Sequence, residues 1–213
     1  MGDRAGGKED FRRALEIAPD FRFVGFHLFD EQLADNELEE AEATLRQSMQ
    51  QTGSYTQTEF LRLRDLAGEM QRLTTYSDDQ VLAAQRQLNT FGLWGDSLDE
   101  GLRAAMDLAA GLNIDLNTAI MMVGKAAVGE TQTLGRYGIV IDENVSKADK
   151  FQAVLGQVNA RFGGAEQARA ETTTGKIKQM GNAWDDCKEA LGGFMVKAAD
   201  LPNVFGVLGR ILQ

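Results

Sequence analysis

The sequence predicts an all-α protein: a multi-helix bundle with an N-terminal helical hairpin and a long C-terminal helix patterned in heptads. Three observations carry this. From Tyr76 to Met195 apolar residues recur at helical spacing between successive capping signals, with almost no strand-forming run among them. Prolines number two, Pro19 and Pro202, and aromatic residues make up 8% of the chain, a poor fit to a sandwich or barrel with its many punctuated turns. Finally, Ile177, Met180, Trp184, Cys187, Leu191 and Phe194 follow one another at intervals of 3, 4, 3, 4 and 3, which keeps one apolar stripe facing a partner helix.

Residues 1–52 divide at Pro19-Asp20 and again at Ala34-Asp35-Asn36, with Phe11, Ala14 and Leu15 and then Leu38, Ala41, Leu45 and Met49 at helical spacing. Phe11, Ala14, Leu15, Pro19, Leu28, Ala41 and Leu45 resemble about one and a half units of the tetratricopeptide pattern, with Phe29 where a small glycine is usual. Since about three repeats are needed to bury a continuous core, the segment reads as a helical hairpin or cap. The Gln- and Thr-rich stretch Gln47 to Thr58, with Gly53 inside, is the expected linker to a second domain over 57–199.

That domain opens with a helix from Gln57 to Leu73, with Leu63, Leu66, Met70 and Leu73 on one face. Ser77-Asp78-Asp79-Gln80 is a capping box that starts a helix from Asp78 to Phe91, and Gly92-Leu93-Trp94-Gly95 breaks it. Ser97-Leu98-Asp99-Glu100 reads as a second capping box, opening a helix that buries Leu98, Leu102, Met106 and Ala109. Asp115 caps a helix from Leu116 to Val128, stopped by Gly129. A turn over Thr131 to Tyr137 leads into Gly138-Ile139-Val140-Ile141-Asp142, an extended loop lying over the helices. Ser146 then opens a helix carrying Phe151, Val154, Leu155, Val158 and Phe162, ended by Gly163-Gly164.

The last long helix is expected from Ala165 to Ala199. It carries the heptad seam, and it is weakened at Gly175, Gly181 and Gly192-Gly193 by about 1 kcal/mol each relative to alanine at exposed positions. Cys187 sits on the seam, where a lone cysteine reads as a small buried hydrophobe. Beyond Pro202 the apolar tail of residues 200–213 ends as if a longer chain had been cut or this end docks elsewhere. The seam has two readings: it packs on the other helices of the same bundle, or it is a surface for assembly.

Composition narrows the function. With 22 basic and 32 acidic residues the formal charge is -10, which disfavours a surface that tracks phosphates, so no nucleic-acid partner is expected. No apolar run reaches the 18 residues that a membrane span needs, and the start Met1-Gly2-Asp3-Arg4 lacks the apolar stretch of a secretory signal.

Catalytic and metal chemistry find no constellation. The sole histidine, His27, lies among Phe23, Phe26 and Phe29 without a second histidine or a cysteine pair, too little for a zinc site or a triad. Asp78-Asp79 sits at a helix N-terminus, where negative charge offsets the macrodipole, and Asp185-Asp186 points to two different helix faces. Gly124-Lys125 and Gly175-Lys176 lack the upstream glycine and the following Ser or Thr of a phosphate loop. No cofactor is expected, and the chain reads as a non-enzyme.

A family resemblance runs through the helices in order. Ser77-Asp78-Asp79-Gln80-Val81-Leu82-Ala83-Ala84-Gln85, Leu108-Ala109-Ala110-Gly111-Leu112, Leu116-Asn117-Thr118-Ala119 and Val123-Gly124-Lys125-Ala126 come first. Leu134-Gly135-Arg136-Tyr137-Gly138-Ile139 and Arg161-Phe162-Gly163-Gly164-Ala165 follow, then Gly175-Lys176-Ile177, Asn182-Ala183-Trp184-Asp185 and Ala190-Leu191-Gly192. Together, over about Leu63 to Met195, they resemble the tape measure proteins of long-tailed bacteriophages and prophages. The resemblance implies a virion component assembled in the host cytoplasm, lying in the tail tube and setting tail length. Its partners would be tail tube proteins, a tail chaperone or further copies of itself as a homo-oligomer.

Members of that family are usually many hundreds of residues long, whereas this chain drawn out as one helix would span only about 320 Å. A fragment, a rearranged reading frame or a short relative is therefore expected. The competing reading is a helical-repeat adaptor that holds a protein partner in a groove lined by Phe23, Phe26 and Phe29; a third, a tail-associated cell-wall hydrolase, has no acidic or metal site to support it.

Overall fold

Helices built on local caps carry the architecture of the computed structural model, which describes residues 38–142 and 144–187. His27, the phenylalanines around it, the first half of the expected hairpin, Leu191, Phe194 and the apolar tail lie outside the described residues. The chain divides into two compact units, one of Leu38–Asn182 and one of Met1–Glu37 with Ala183–Gln213. The first is an all-α bundle, with no strand among its described residues.

Helix α1 covers residues 38–52 and buries Leu45 and Met49. Gly53, at φ 72°, turns the chain, and the amides of Ser54 and Tyr55 return to Met49 O. Thr56 then caps α2, Gln57–Leu73, by accepting from the Glu59 amide at 3.1 Å. The connection is thus only a few residues long. Most of the stretch expected as a linker is helical, because Ser48, Met49 and Phe60 find buried places in one core and a polar composition does not prevent that. On α2, Phe60, Leu63, Leu66, Ala67 and Met70 are buried, while Leu73, expected on the same face, is 45% exposed at the C-terminal end.

Helix α3, Asp78–Thr90, starts at the expected capping box: Gln80 Oε1 accepts from the Ser77 amide at 3.4 Å, and the Ser77 hydroxyl donates to the Asp79 carboxylate. The next start differs from expectation. Helix α4, Asp96–Leu112, begins ahead of Ser97, with Gly95 at φ 55° as its N-cap, and the Ser97 hydroxyl donates to Trp94 O at 2.8 Å. The second capping box does not form. Asp99 turns instead to Arg62, whose Nη1 donates to it at 2.6 Å while Nε and Nη2 hold Glu59 at 2.9 and 2.8 Å.

Helix α4 is the hub, packing against α3 and against the three helices that follow. Its small residues make this feasible: a Cβ on Gly101 would lie 3.3 Å from Leu93, 3.5 Å from Phe151 and 3.6 Å from Val123, so three elements converge on one glycine. Leu98, Leu102, Met106 and Ala109 are buried as expected. Asn113 ends the helix in the left-handed region at φ 52°, a conformation asparagine tolerates.

Asp115 caps α5, Leu116–Ala127, accepting from the Thr118 amide at 2.8 Å, and Gly129 at φ 94° stops it. A short 3₁₀ turn over Gln132–Tyr137 leads into the extended run, where Ile139 and Ile141 are buried and Val140 is 72% exposed. That alternation is the period-2 signature of extended chain lying on a core. Ser146 caps α6, Lys147–Phe162, which buries Phe151, Val154, Leu155 and Val158.

Candidate functional site

The heptad seam belongs to a helix that starts later than expected. Helix α7, Ala165–Glu171, ends at Thr172 in extended conformation, and α8 begins anew at residue 173 and is described to 187. Three consecutive threonines followed by glycine explain the break. The Thr172 hydroxyl accepts from the Gly175 amide at 3.0 Å, so a side chain that competes with helical hydrogen bonds serves as the N-cap of a new helix. Gly175 is needed there, because a Cβ would lie 2.2 Å from Arg169 O and 2.6 Å from Ala170 O.

Polar contacts dock this arm. Asp107 on α4 accepts from the amides of Gly164 at 3.1 Å and Glu166 at 3.0 Å, satisfying the free donors at the start of α7. Glu166 is 2% exposed, and its Oε1 accepts from both the amide and the hydroxyl of Thr75 at 2.8 Å. Arg169 Nη2 lies 2.7 Å from Glu166 Oε2 and donates to the Thr75 hydroxyl at 2.9 Å, with its guanidinium over the Tyr76 ring. The close approach to Oε2 is an ion pair without hydrogen-bond alignment, and among the described residues Arg169 Nε has no hydrogen-bond partner. Burial, and after it the Glu166 carboxylate, pushes the Tyr76 hydroxyl above its ordinary pKa. On α8 the Gln179 amide donates to Arg72 O at 3.2 Å and Thr74 O at 3.1 Å, closing carbonyls left open at the end of α2.

These contacts fix which way α8 faces. Gly175 is buried and Gln179 and Asn182 half-buried, at spacings of four and three that make one stripe. At 3.6 residues per turn, Ile177 and Met180 fall on the opposite side, and they are 60% and 68% exposed. Trp184 is 59% exposed, and Cys187 is exposed as well. Ile177 and Met180 therefore face away from the bundle, and a polar stripe makes the contact. This corrects one expectation, since Cys187 is no buried hydrophobe, and of the two readings of the seam, packing on the same bundle does not hold for Ile177 and Met180. The physical reason is that the α2 C-terminus offers α8 carbonyls to be satisfied, which Gln179 does and an apolar side chain cannot.

Sequence reasoning missed the Glu166, Arg169, Thr75 and Asp107 cluster. The i, i+3 pair of Glu166 and Arg169 was visible, but such pairs are ordinary on helix surfaces. What buries this one is Thr75, 91 residues away. Among the described residues no helix is long and apolar enough to cross a membrane. Comparison with family models, curated proteins and solved structures finds no match to the chain.

Proposed function

We propose that the chain is a tape-measure-type structural protein of a phage tail, acting through helix packing and protein contacts in tail assembly and length control, without catalysis. The single observation that carries the reading is the outward seam. Ile177 and Met180 stand free of the bundle and Trp184 is exposed, a run of apolar side chains that asks for a protein neighbour. The ordered resemblance between Leu63 and Met195 supplies the kind of assembly. Tail tube proteins, a tail chaperone and further copies of the chain are the partners it names, in the host cytoplasm during assembly and then in the virion tail.

Size-exclusion chromatography with light scattering, on the wild type and on Trp184→Asp, tests the seam. A wild-type oligomer that the variant converts into folded helical monomers is the expected result. A wild type that is monomeric and binds no purified tail tube protein overturns the proposal.

A further inference from the structure

On another part of the bundle, Trp94 is held out from the chain on the turn between α3 and α4. It exposes 67% of its surface although its neighbour Leu93 is buried. The turn is fixed by left-handed glycines on either side, Gly92 at φ 82° and Gly95 at φ 55°, and by Leu93 O accepting from Asn89 Nδ2 at 3.2 Å. The backbone that carries the indole is thus set by the turn before anything binds.

Beside it opens a cleft of about 550 Å³, lined by Trp94, Thr52, Ser54, Thr56, Glu59 and Asn89 together with Gly53 and Gly92. The volume is within the range of small-molecule sites. Asn89, 1% exposed, organises the floor: its Oδ1 accepts from Ser48 at 3.0 Å and Thr52 at 2.9 Å, and its Nδ2 donates to Ser54 at 2.9 Å. The hydroxyls of Thr52 and Ser54 lie 3.0 Å apart and are thereby oriented as a pair. Glu59, gripped by Arg62, is held below its ordinary pKa and presents a charged acceptor.

No lysine or arginine lines the cleft, which argues against phosphates and other anions. One aromatic side chain makes a platform and falls short of the cage that captures quaternary ammonium. What remains is a flat apolar face next to hydroxyls, an amide and a carboxylate. We propose that this cleft binds a neutral saccharide, with a pyranose ring laid on the Trp94 indole and its hydroxyls bonded to Ser54, Thr52 and Glu59. The cleft is remote in sequence from the seam and does not rest on the tape-measure reading.

The test uses the full chain carrying Trp184→Phe, so that Trp94 is the only tryptophan, titrated with N-acetylglucosamine and glucose tetramers. The expected result is a saturable change in indole emission with a Kd on the order of 1 mM. Ligand-observed saturation-transfer NMR should show the same contact, lost in Trp94→Ala and weakened several-fold in Ser54→Ala. Circular dichroism of Trp94→Ala should match wild type, because the side chain is exposed. Absence of any saccharide response overturns the proposal. So does transfer that persists in Trp94→Ala, or a response to a proline decamer with none to sugars, which would make the turn a peptide site.

Discussion

Replacing Glu166 by glutamine probes whether the polar cluster is what holds α7 and α8 to the bundle. The shape is kept: the amide oxygen can still accept from Thr75 N and Thr75 Oγ1, each at 2.8 Å in the wild type. The charge is not kept, and the new NH₂ group is aimed at Arg169 Nη2, 2.7 Å from the atom it replaces, donor against donor. Two hydrogen bonds to a carboxylate become neutral ones, and the Arg169 guanidinium loses its carboxylate partner. A hydrogen bond to a charged group contributes about 1.5–3 kcal/mol against about 1 kcal/mol for a neutral one. Arg169 still touches solvent, so the loss stays below the 3–5 kcal/mol of a fully buried broken pair.

The expected cost is therefore about 2–3 kcal/mol, felt locally. Hydrogen exchange followed by mass spectrometry should show amides of residues 165–182 opening roughly 30- to 150-fold more often, with α4 and α5 unchanged. A cycle with Arg169→Met should give a coupling of about 1 kcal/mol or more. Exchange indistinguishable from wild type, together with a coupling near zero, would refute the reasoning and make the cluster a bystander of apolar packing around Ala170.

Other outcomes follow from the same geometry. Gly175→Ala forces a Cβ against Arg169 O and Ala170 O, backbone atoms that cannot step aside, so the break at Thr172 should open and amide protection over 173–182 should fall. Gly124→Ala places a Cβ 2.2 Å from Phe91 Cδ2 and 2.8 Å from its Cγ, so the whole ring has to move. About 1–3 kcal/mol of overpacking against about 1 kcal/mol gained in helix propensity should lower the urea midpoint, and a Phe91→Leu background should remove or reverse the effect. Because Tyr76 has a folded pKa raised above the ordinary 10.0, its contribution is fully present below that pH and is lost as pH rises through the folded value. Stability measured from pH 9 upward should therefore fall less steeply in Tyr76→Phe than in wild type. Arg62→Met should return Glu59, now held low by its hydrogen bonds to Arg62, toward its ordinary pKa. The stability that Glu59 contributes above that ordinary value, lost in wild type only as pH falls through the depressed one, should vanish from the acid limb of a pH titration.

The sequence by itself determined which segments are helices and where most of them start. Ser77 with Gln80, Asp115 and Ser146 stand at the starts they predicted, and Gly129 and Gly163 at the stops, because caps and the 3.6-residue period act over a few neighbouring residues. The apolar stripes of α4 and α6 were legible for the same reason. Ser97 was not, since its hydroxyl is drawn to Trp94 O while Asp99 is taken by Arg62 on another helix. Nor was the cleft at Trp94, which needs α1, α2 and α3 brought side by side. The direction of the seam was beyond sequence reasoning altogether. Periodicity says that Ile177, Met180 and Trp184 share a face, and is silent on what covers that face. Tertiary structure decided it for Ile177 and Met180 through competition for α8: the open carbonyls of Arg72 and Thr74 are satisfied by Gln179, and once that polar stripe is docked these two must turn outward.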